Sequence, residues 1–189
     1  MPTKDRKKRL YSKIKVLLKR KHAVSIPLAI TFTKVNQIVR GWVNYFKTGS
    51  IKTYLDEFGQ WLRHKIRCII IKQWKKPMTI YRNLMKLNNT YKCRFSHEDM
   101  FKCANTRLGW YRRSAMDIVN FTLSPKVLGI RKGDRPGLVN PLEYYLKSLW
   151  FRYKCRAVYE TRTYGSMGGA KVKSFPLPYS KFKIVLNYS

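Results

Sequence analysis

Apolar residues recur along this chain at helical rather than strand spacing. In Lys4–Lys21, Leu10, Ile14, Leu17 and Leu18 share one stripe of an otherwise basic segment, which predicts an amphipathic helix with a charged outer face. His22–Pro27 reads as a loop, with Pro27 near the start of the next helix. From about Leu28 to Lys47, Phe32, Val35, Ile38, Val39, Trp42 and Phe46 form a second stripe, and Gly49 in Thr48-Gly49-Ser50 is its left-handed stop. A longer helix is expected from about Ile51 to Lys76, with Tyr54, Leu55, Phe58, Trp61, Leu62, Ile66, Ile69, Ile70 and Trp74 facing inward. Asp56 and Glu57 fall in its first turns and cations toward its end, which suits the helix dipole. The other positions from Arg63 onward are mostly cationic: Arg63, Lys65, Arg67, Lys72, Lys75 and Lys76. At ~1.5 Å per residue this rod would be about 38 Å long, with a basic face to lay along a polyanion before Pro77 stops it.

Shorter elements follow. Thr79–Leu87 reads as a short helix and Asn88-Asn89-Thr90 as a turn. Ser96-x-x-Asp99 has the form of a capping box, with Asp in place of Glu, and opens a helix through Met100, Phe101 and Ala104. Asp117–Leu123 and Pro125–Leu128 are further helical pieces, and Gly129–Gly137 is a loop carrying Arg131, Lys132 and Arg135. Asn140-Pro141 starts a helix through Leu142, Tyr145, Leu146 and Leu149. After Tyr153 the pattern changes: Arg156–Tyr164 alternates weakly like a strand, Gly165–Gly169 is a turn, and Pro176 and Pro178 break the rest. The expected fold is mainly α, a bundle with one long basic helix and a small β-hairpin or irregular tail. Its expected divisions are 1–27, a basic helix and linker; 28–154, a helical domain; and 155–189, an atypical tail.

Composition then narrows the function. The chain has 189 residues, 44% of them hydrophobic, enough for a folded core. Its 41 Lys and Arg against nine Asp and Glu give a net charge of +32, whose self-repulsion opposes compaction. A nucleic acid relieves that repulsion through counterion release. An anionic membrane surface is the competitor, disfavoured because no lipidation motif is present and the charge is spread along the chain. No signal peptide precedes the basic helix, and the apolar run Cys68-Ile69-Ile70-Ile71 ends at Lys72. Cys68, Cys93, Cys103 and Cys155 lack paired spacing, which suggests reduced thiols and an unsecreted protein, cytoplasmic in a bacterium or organellar. Cys93, His97 and Cys103 form no C-x-x-C pattern, so neither a metal nor any other cofactor is expected.

The block Arg40-Gly41-Trp42-Val43-Asn44-Tyr45-Phe46 carries more specific information. Gly41 inside a helix costs about 1 kcal/mol relative to Ala, and close approach of another element would explain it. Trp42 and Phe46 fall on the core stripe, while Arg40 and Asn44 emerge beside it. Further along come the helix bearing Trp61, Arg63 and Arg67, then Lys72-Gln73-Trp74-Lys75-Lys76-Pro77, Arg82-Asn83-Leu84 and Ala104-Asn105-Thr106-Arg107-x-Gly109. In order and approximate spacing this set resembles the thumb and maturase domain (domain X) of group II intron reverse transcriptase/maturases, over about Pro2 to Leu149. Pro2-Thr3-Lys4 and the first helix resemble the segment joining palm to thumb.

The resemblance implies a helical thumb/maturase-type bundle that binds structured intron RNA and helps it reach its splicing-competent fold, with DNA or an RNA–DNA duplex as a further partner. Carried over by position, Arg40, Arg63, Arg67, Lys72, Lys75, Lys76, Arg82, Arg107, Arg112 and Arg113 are candidate phosphate contacts, with Asn44 beside them. Trp110 and Tyr111 are candidates for stacking on an exposed base, and equally readable as core residues. The family's Tyr-x-Asp-Asp polymerase turn has no counterpart here, so no catalytic residue is assigned and the fingers and palm would be a separate or lost polypeptide, with Met1 an internal or remnant start. Two alternatives stand: a thumb fragment of a split reverse transcriptase, and a degenerate, generic nucleic-acid binder. In the tail, codons for Arg156-Ala157-Val158 and Tyr164-Gly165-Ser166 can be written as complementary RNA resembling the two ends of the intron's catalytic hairpin, which would make the tail translated intron sequence.

Overall fold

The stripes read from the chain become helices in the computed structural model, which describes residues 2–133 and 135–151. All of these lie in the compact unit Met1–Arg152. The helices are α1 (Lys4–Leu17), α2 (Arg20–Ala23), α3 (Leu28–Phe46), α4 (Lys52–Trp74), α5 (Pro77–Tyr91), α6 (His97–Asn105), α7 (Trp110–Arg113), α8 (Asp117–Thr122) and α9 (Pro125–Gly129). A further helix, α10, occupies residues 141–151. The fold is mainly α, and among the described residues the sole extended pairing is an isolated bridge between Lys132 and Arg135. The expected strand at Arg156–Tyr164, its turn and the RNA-derived reading of the tail lie outside the described residues.

Three helices meet around one aromatic cluster. Leu10 and Ile14 of α1 are buried in the shared core, with α1 packed on α3. Tyr11 turns its ring edge-on to Phe58 at 5.3 Å and to Trp61 at 4.8 Å, tying α1 to α4. Trp42 of α3 tilts against Tyr54 of α4 at 5.3 Å. Each such large side chain, once buried, contributes about 1.5–3 kcal/mol, which fixes the first half of α4 between α1 and α3.

The second half of α4 is enclosed on more than one side. Burial is continuous from Ile66 through Ile71, which no one-sided amphipathic stripe produces. α5 and α7 pack on this part, and α8 packs on α5. The expectation of a basic face along the whole rod is therefore corrected: Arg67 is buried, Arg63, Lys65 and Lys72 are half-buried, and Lys75 and Lys76 are exposed beyond the helix end.

The elements after α4 also differ in detail. Lys75 takes a positive φ of 56°, Lys76 is extended as a residue before proline must be, and Pro77 is the first residue of α5. Pro77 thus starts a helix as well as ending one. α5 continues through Asn88-Asn89-Thr90, where a turn was expected. The Asn88 side chain donates to the Phe95 carbonyl at 3.3 Å and accepts from the Phe95 N–H at 3.1 Å, while Thr90 Oγ1 donates to the Lys86 carbonyl. With those side chains satisfied they no longer compete with the helix, and the reversal passes to Lys92 and Arg94, both at positive φ. α6 opens on Ser96, whose Oγ accepts from the Glu98 N–H at 3.1 Å.

The 130–140 segment is pinned to α3 by Asn36. Its amide donates to the Gly137 carbonyl at 2.8 Å and its oxygen accepts from the Val139 N–H at 2.9 Å. α10 then returns over the α3–α4 corner, with Tyr145 Oη donating to the Gly49 carbonyl at 2.7 Å. Among the described residues no helix is long and apolar enough to cross a membrane.

Candidate nucleic-acid interface

With a net charge of +32, most of the basic side chains cannot be neutralised within the chain. The ion pairs Lys102–Glu98 and Lys147–Glu143 are exposed i,i+4 contacts that contribute a few tenths of a kcal/mol each. What matters for a polyanion is where the remaining cations sit.

The Arg40–Asn44 pair lies on the outer side of α3, both exposed. The Arg40 guanidinium stands 5.9 Å from the centroid of the Tyr144 ring, and Tyr144 Oη donates to Asn44 Oδ1 at 3.3 Å. Tyr144 of α10 therefore joins the two predicted residues in one polar cluster, a partnership across about a hundred positions that spacing alone does not reveal. The backbone at Gly41 is not approached by another element: a Cβ built there has nothing within 4 Å. The packing role expected of Gly41 belongs to Gly59, where a Cβ would lie 3.1 Å from Arg63 Nη1 and 3.5 Å from Pro141 Cδ.

At the α4–α5 corner, Lys75, Lys76 and Arg82 are exposed. Arg63 is half-buried, and burial lowers its pKa ahead of the opposing pull of Asp56. Arg67 faces inward. Its Nε donates to the Leu123 carbonyl at 3.0 Å, Nη1 to Asn120 Oδ1 at 2.7 Å and Nη2 to the Asn120 carbonyl at 3.2 Å. Burial pushes Arg67 down to about 10, with repulsion from Arg63 second, so it stays charged at neutral pH. As a candidate phosphate contact Arg67 is corrected: its donors are spent on the C-terminal carbonyls of α8.

α7 carries the aromatic candidates. Tyr111 is 50% exposed, its ring edge-to-face with His64 at 4.2 Å and under Lys65 Nζ at 4.9 Å. Trp110 is half-buried against the core, with the Arg113 guanidinium 5.1 Å from its ring. Arg113 is buried and donates to the Thr106 carbonyl, so it too is corrected from phosphate contact to internal brace. Arg107 and Arg112 remain exposed. His64 sits beneath this group with its pKa lowered by burial, then by the charges of Lys65 and Arg67.

A cationic surface also runs along α1. Lys4, Arg6, Lys8, Arg9, Lys13 and Lys15 are all exposed, opposite the buried Leu10–Ile14 stripe. The amphipathic pattern announced this face, yet it was not among the residues picked as contacts. Lys65, His64 and Tyr144 were also missed; only their three-dimensional neighbours mark them. The arrangement can hold phosphates and stack bases. Among the described residues no three His, Cys, Asp or Glu side chains come together as metal ligands, Cys93, His97 and Cys103 included.

Comparison with curated proteins found no match to the chain. A family model does match: residues 7–88 fit the group II intron, maturase-specific domain. The matched span includes the 40–46, 72–77 and 82–84 blocks, and the 104–113 segment lies beyond it. Residues 7–88 are therefore similar to a group II intron maturase-specific domain, the matched span running from the basic α1 to α5.

Proposed function

We propose that the protein binds structured intron RNA and assists the folding and splicing of a group II intron, without catalytic chemistry of its own. The maturase-specific domain is a generally non-catalytic module. The observation that carries the reading is that the segment matching the maturase-specific domain presents exposed cations along α1, at Arg40 and at Lys75, Lys76 and Arg82. Arg63, Lys72, Arg107 and Arg112 extend this set, Asn44 contributes a polar contact, and Tyr111 offers a base-stacking face, while Trp110 packs against the core. Phosphate contacts of this kind position an RNA, and recognition of one intron then comes from shape and unpaired bases. DNA or an RNA–DNA duplex would engage the same cations, and separately encoded fingers and palm would convert the domain into the thumb of a split polymerase.

The test compares affinity for the flanking intron RNA and for an unrelated structured RNA over a range of salt. Tighter binding to the intron RNA at moderate salt is expected, with log K falling by about 0.7–0.9 per phosphate contact per decade of salt. Equal affinities for the two RNAs, with a steep salt slope for both, would leave only counterion release and sink the maturase reading.

A further inference from the structure

We propose that the hollow between α5 and α6 is a second binding site, for an unpaired nucleobase that carries an exocyclic amino group; this rests on the RNA-binding reading above. The hollow has a volume of about 330 Å³ and is lined by Tyr81, His97, Glu98, Phe101 and Lys102. Phe101 is 54% exposed. Its ring meets that of Tyr81 at 6.0 Å and 82°, so the two form a corner of nearly perpendicular aromatic surfaces. A flat heterocycle can stack on one ring and meet the other edge-on, an arrangement aromatic pairs themselves prefer. Tyr81 Oη is held against His97 Nδ1 at 3.2 Å, which fixes the Tyr81 side of the corner and leaves His97 Nε2 outside that bond.

Charge at the rim selects the part of the nucleotide that enters. Glu98 lies in the lining, its Oε2 3.8 Å from Lys102 Nζ. A carboxylate beside an aromatic face repels a phosphate at that spot and accepts an N–H from an amino group. Arg82, exposed and next to Tyr81 in the chain, remains for a flanking phosphate. The occupant is then a base turned out of its stack, with its sugar-phosphate backbone running past the rim. Neither the 40–46 block nor the α7 aromatics contribute a residue to this hollow.

Cytosine and uracil are nearly the same shape but differ on the Watson–Crick edge, where cytosine presents an exocyclic amino group and an N3 acceptor and uracil a carbonyl and an N3–H, so short unstructured oligocytidylate and oligouridylate are the probes. Fluorescence anisotropy at fixed moderate salt should show oligocytidylate bound about fivefold more tightly by the full chain. F101L, which keeps the apolar volume and removes the aromatic face, should lower oligocytidylate affinity about tenfold, and F101W should preserve it. E98A, which removes the acceptor at a side chain 83% exposed, should bring the cytidylate-to-uridylate ratio close to one whether or not F101L folds well. A wild-type-like F101L, or a ratio that survives E98A, overturns the proposal. If those results come with intact binding of the flanking intron RNA, the hollow alone is refuted. If the unsubstituted chain does not prefer intron RNA, the maturase reading falls first.

Discussion

Arg67 grips Asn120 twice, through Nη1 to the side-chain oxygen at 2.7 Å and through Nη2 to the backbone carbonyl at 3.2 Å. Together with its bond to the Leu123 carbonyl, this makes one guanidinium on α4 the closing group for the C-terminal end of α8. A cation at a helix C-terminus is favoured by the dipole, and in a half-enclosed setting more than at the surface. Removing it leaves several carbonyl acceptors without their donor. Arg67→Ala should therefore destabilise the fold by about 2–4 kcal/mol, and Arg67→Lys, which keeps the charge but not the fork, by roughly half as much. Urea unfolding midpoints measure this. Arg40→Ala and Arg82→Ala, at exposed positions, should leave the midpoint within about 0.5 kcal/mol of wild type while weakening RNA binding. An Arg67→Ala protein of unchanged stability would return Arg67 to the surface set.

Tyr111 and Trp110 are neighbours in the chain with opposite situations. Tyr111 is half exposed and flanked by His64 and Lys65, and Trp110 packs on the core. Tyr111→Ala should lower RNA affinity by about 1–3 kcal/mol, the range for loss of a base–aromatic stack, with little change in the unfolding midpoint. Trp110→Ala should instead cost about 2–4 kcal/mol of stability. Binding isotherms and unfolding curves on the same two proteins separate the roles, and a Tyr111→Ala variant that binds RNA normally would remove stacking from α7.

His64 gives the fold a pH dependence whose sign follows from its surroundings. Burial, then Lys65, then Arg67, hold its pKa below the ordinary histidine value of about 6.5. In the folded state the imidazole thus binds fewer protons than in the unfolded chain over that window, so stability rises with pH there. It is fully present above about pH 6.5 and is lost as the pH falls toward the depressed folded value. Unfolding midpoints measured from about pH 5 to pH 8 should show this slope, and His64→Asn should flatten it. A slope of opposite sign would mean that an acid, and not the Lys65–Arg67 pair, governs His64.

Periodicity made the long elements legible because α1, α3 and the first half of α4 bury single stripes whose spacing is written in the chain. Leu10 and Ile14, or Phe32, Val35 and Val39, needed no partner to be recognised. Arg67 and Arg113 were misplaced for the same reason: a one-helix reading assigns every cation to solvent, whereas α8 and the Thr106 carbonyl supply acceptors from distant positions. Asn88 was read as a turn residue because its partner, Phe95, becomes available only once the chain doubles back. The site shows the same division. Arg40 and Asn44 stand in a recognisable block, but Tyr144, which joins them, is contributed by a helix outside the matched segment.

Three glycines that look alike in the sequence should respond to alanine in different ways. Gly41 lies inside α3 with nothing within 4 Å of a built Cβ, so Gly41→Ala should stabilise the protein by about 0.5–1 kcal/mol through lower unfolded-state entropy. At Gly59 the new methyl would press on Arg63 Nη1, a flexible group that can yield, and on Pro141, which can yield less; the gain should vanish. At Gly137 the Cβ would stand 1.8 Å from the Gly129 carbonyl oxygen, so the loop must leave the Asn36 amide that holds it. Gly137→Ala should cost about 3 kcal/mol or more. Unfolding midpoints rank the three, and RNA affinity adds a second axis for Gly41, which lies between Arg40 and Asn44. A Gly41→Ala protein that is more stable and binds intron RNA normally places the partner on the side chains around the helix. One that is more stable yet binds RNA poorly means the partner's backbone approaches the helix at Gly41 itself, where only a hydrogen leaves room.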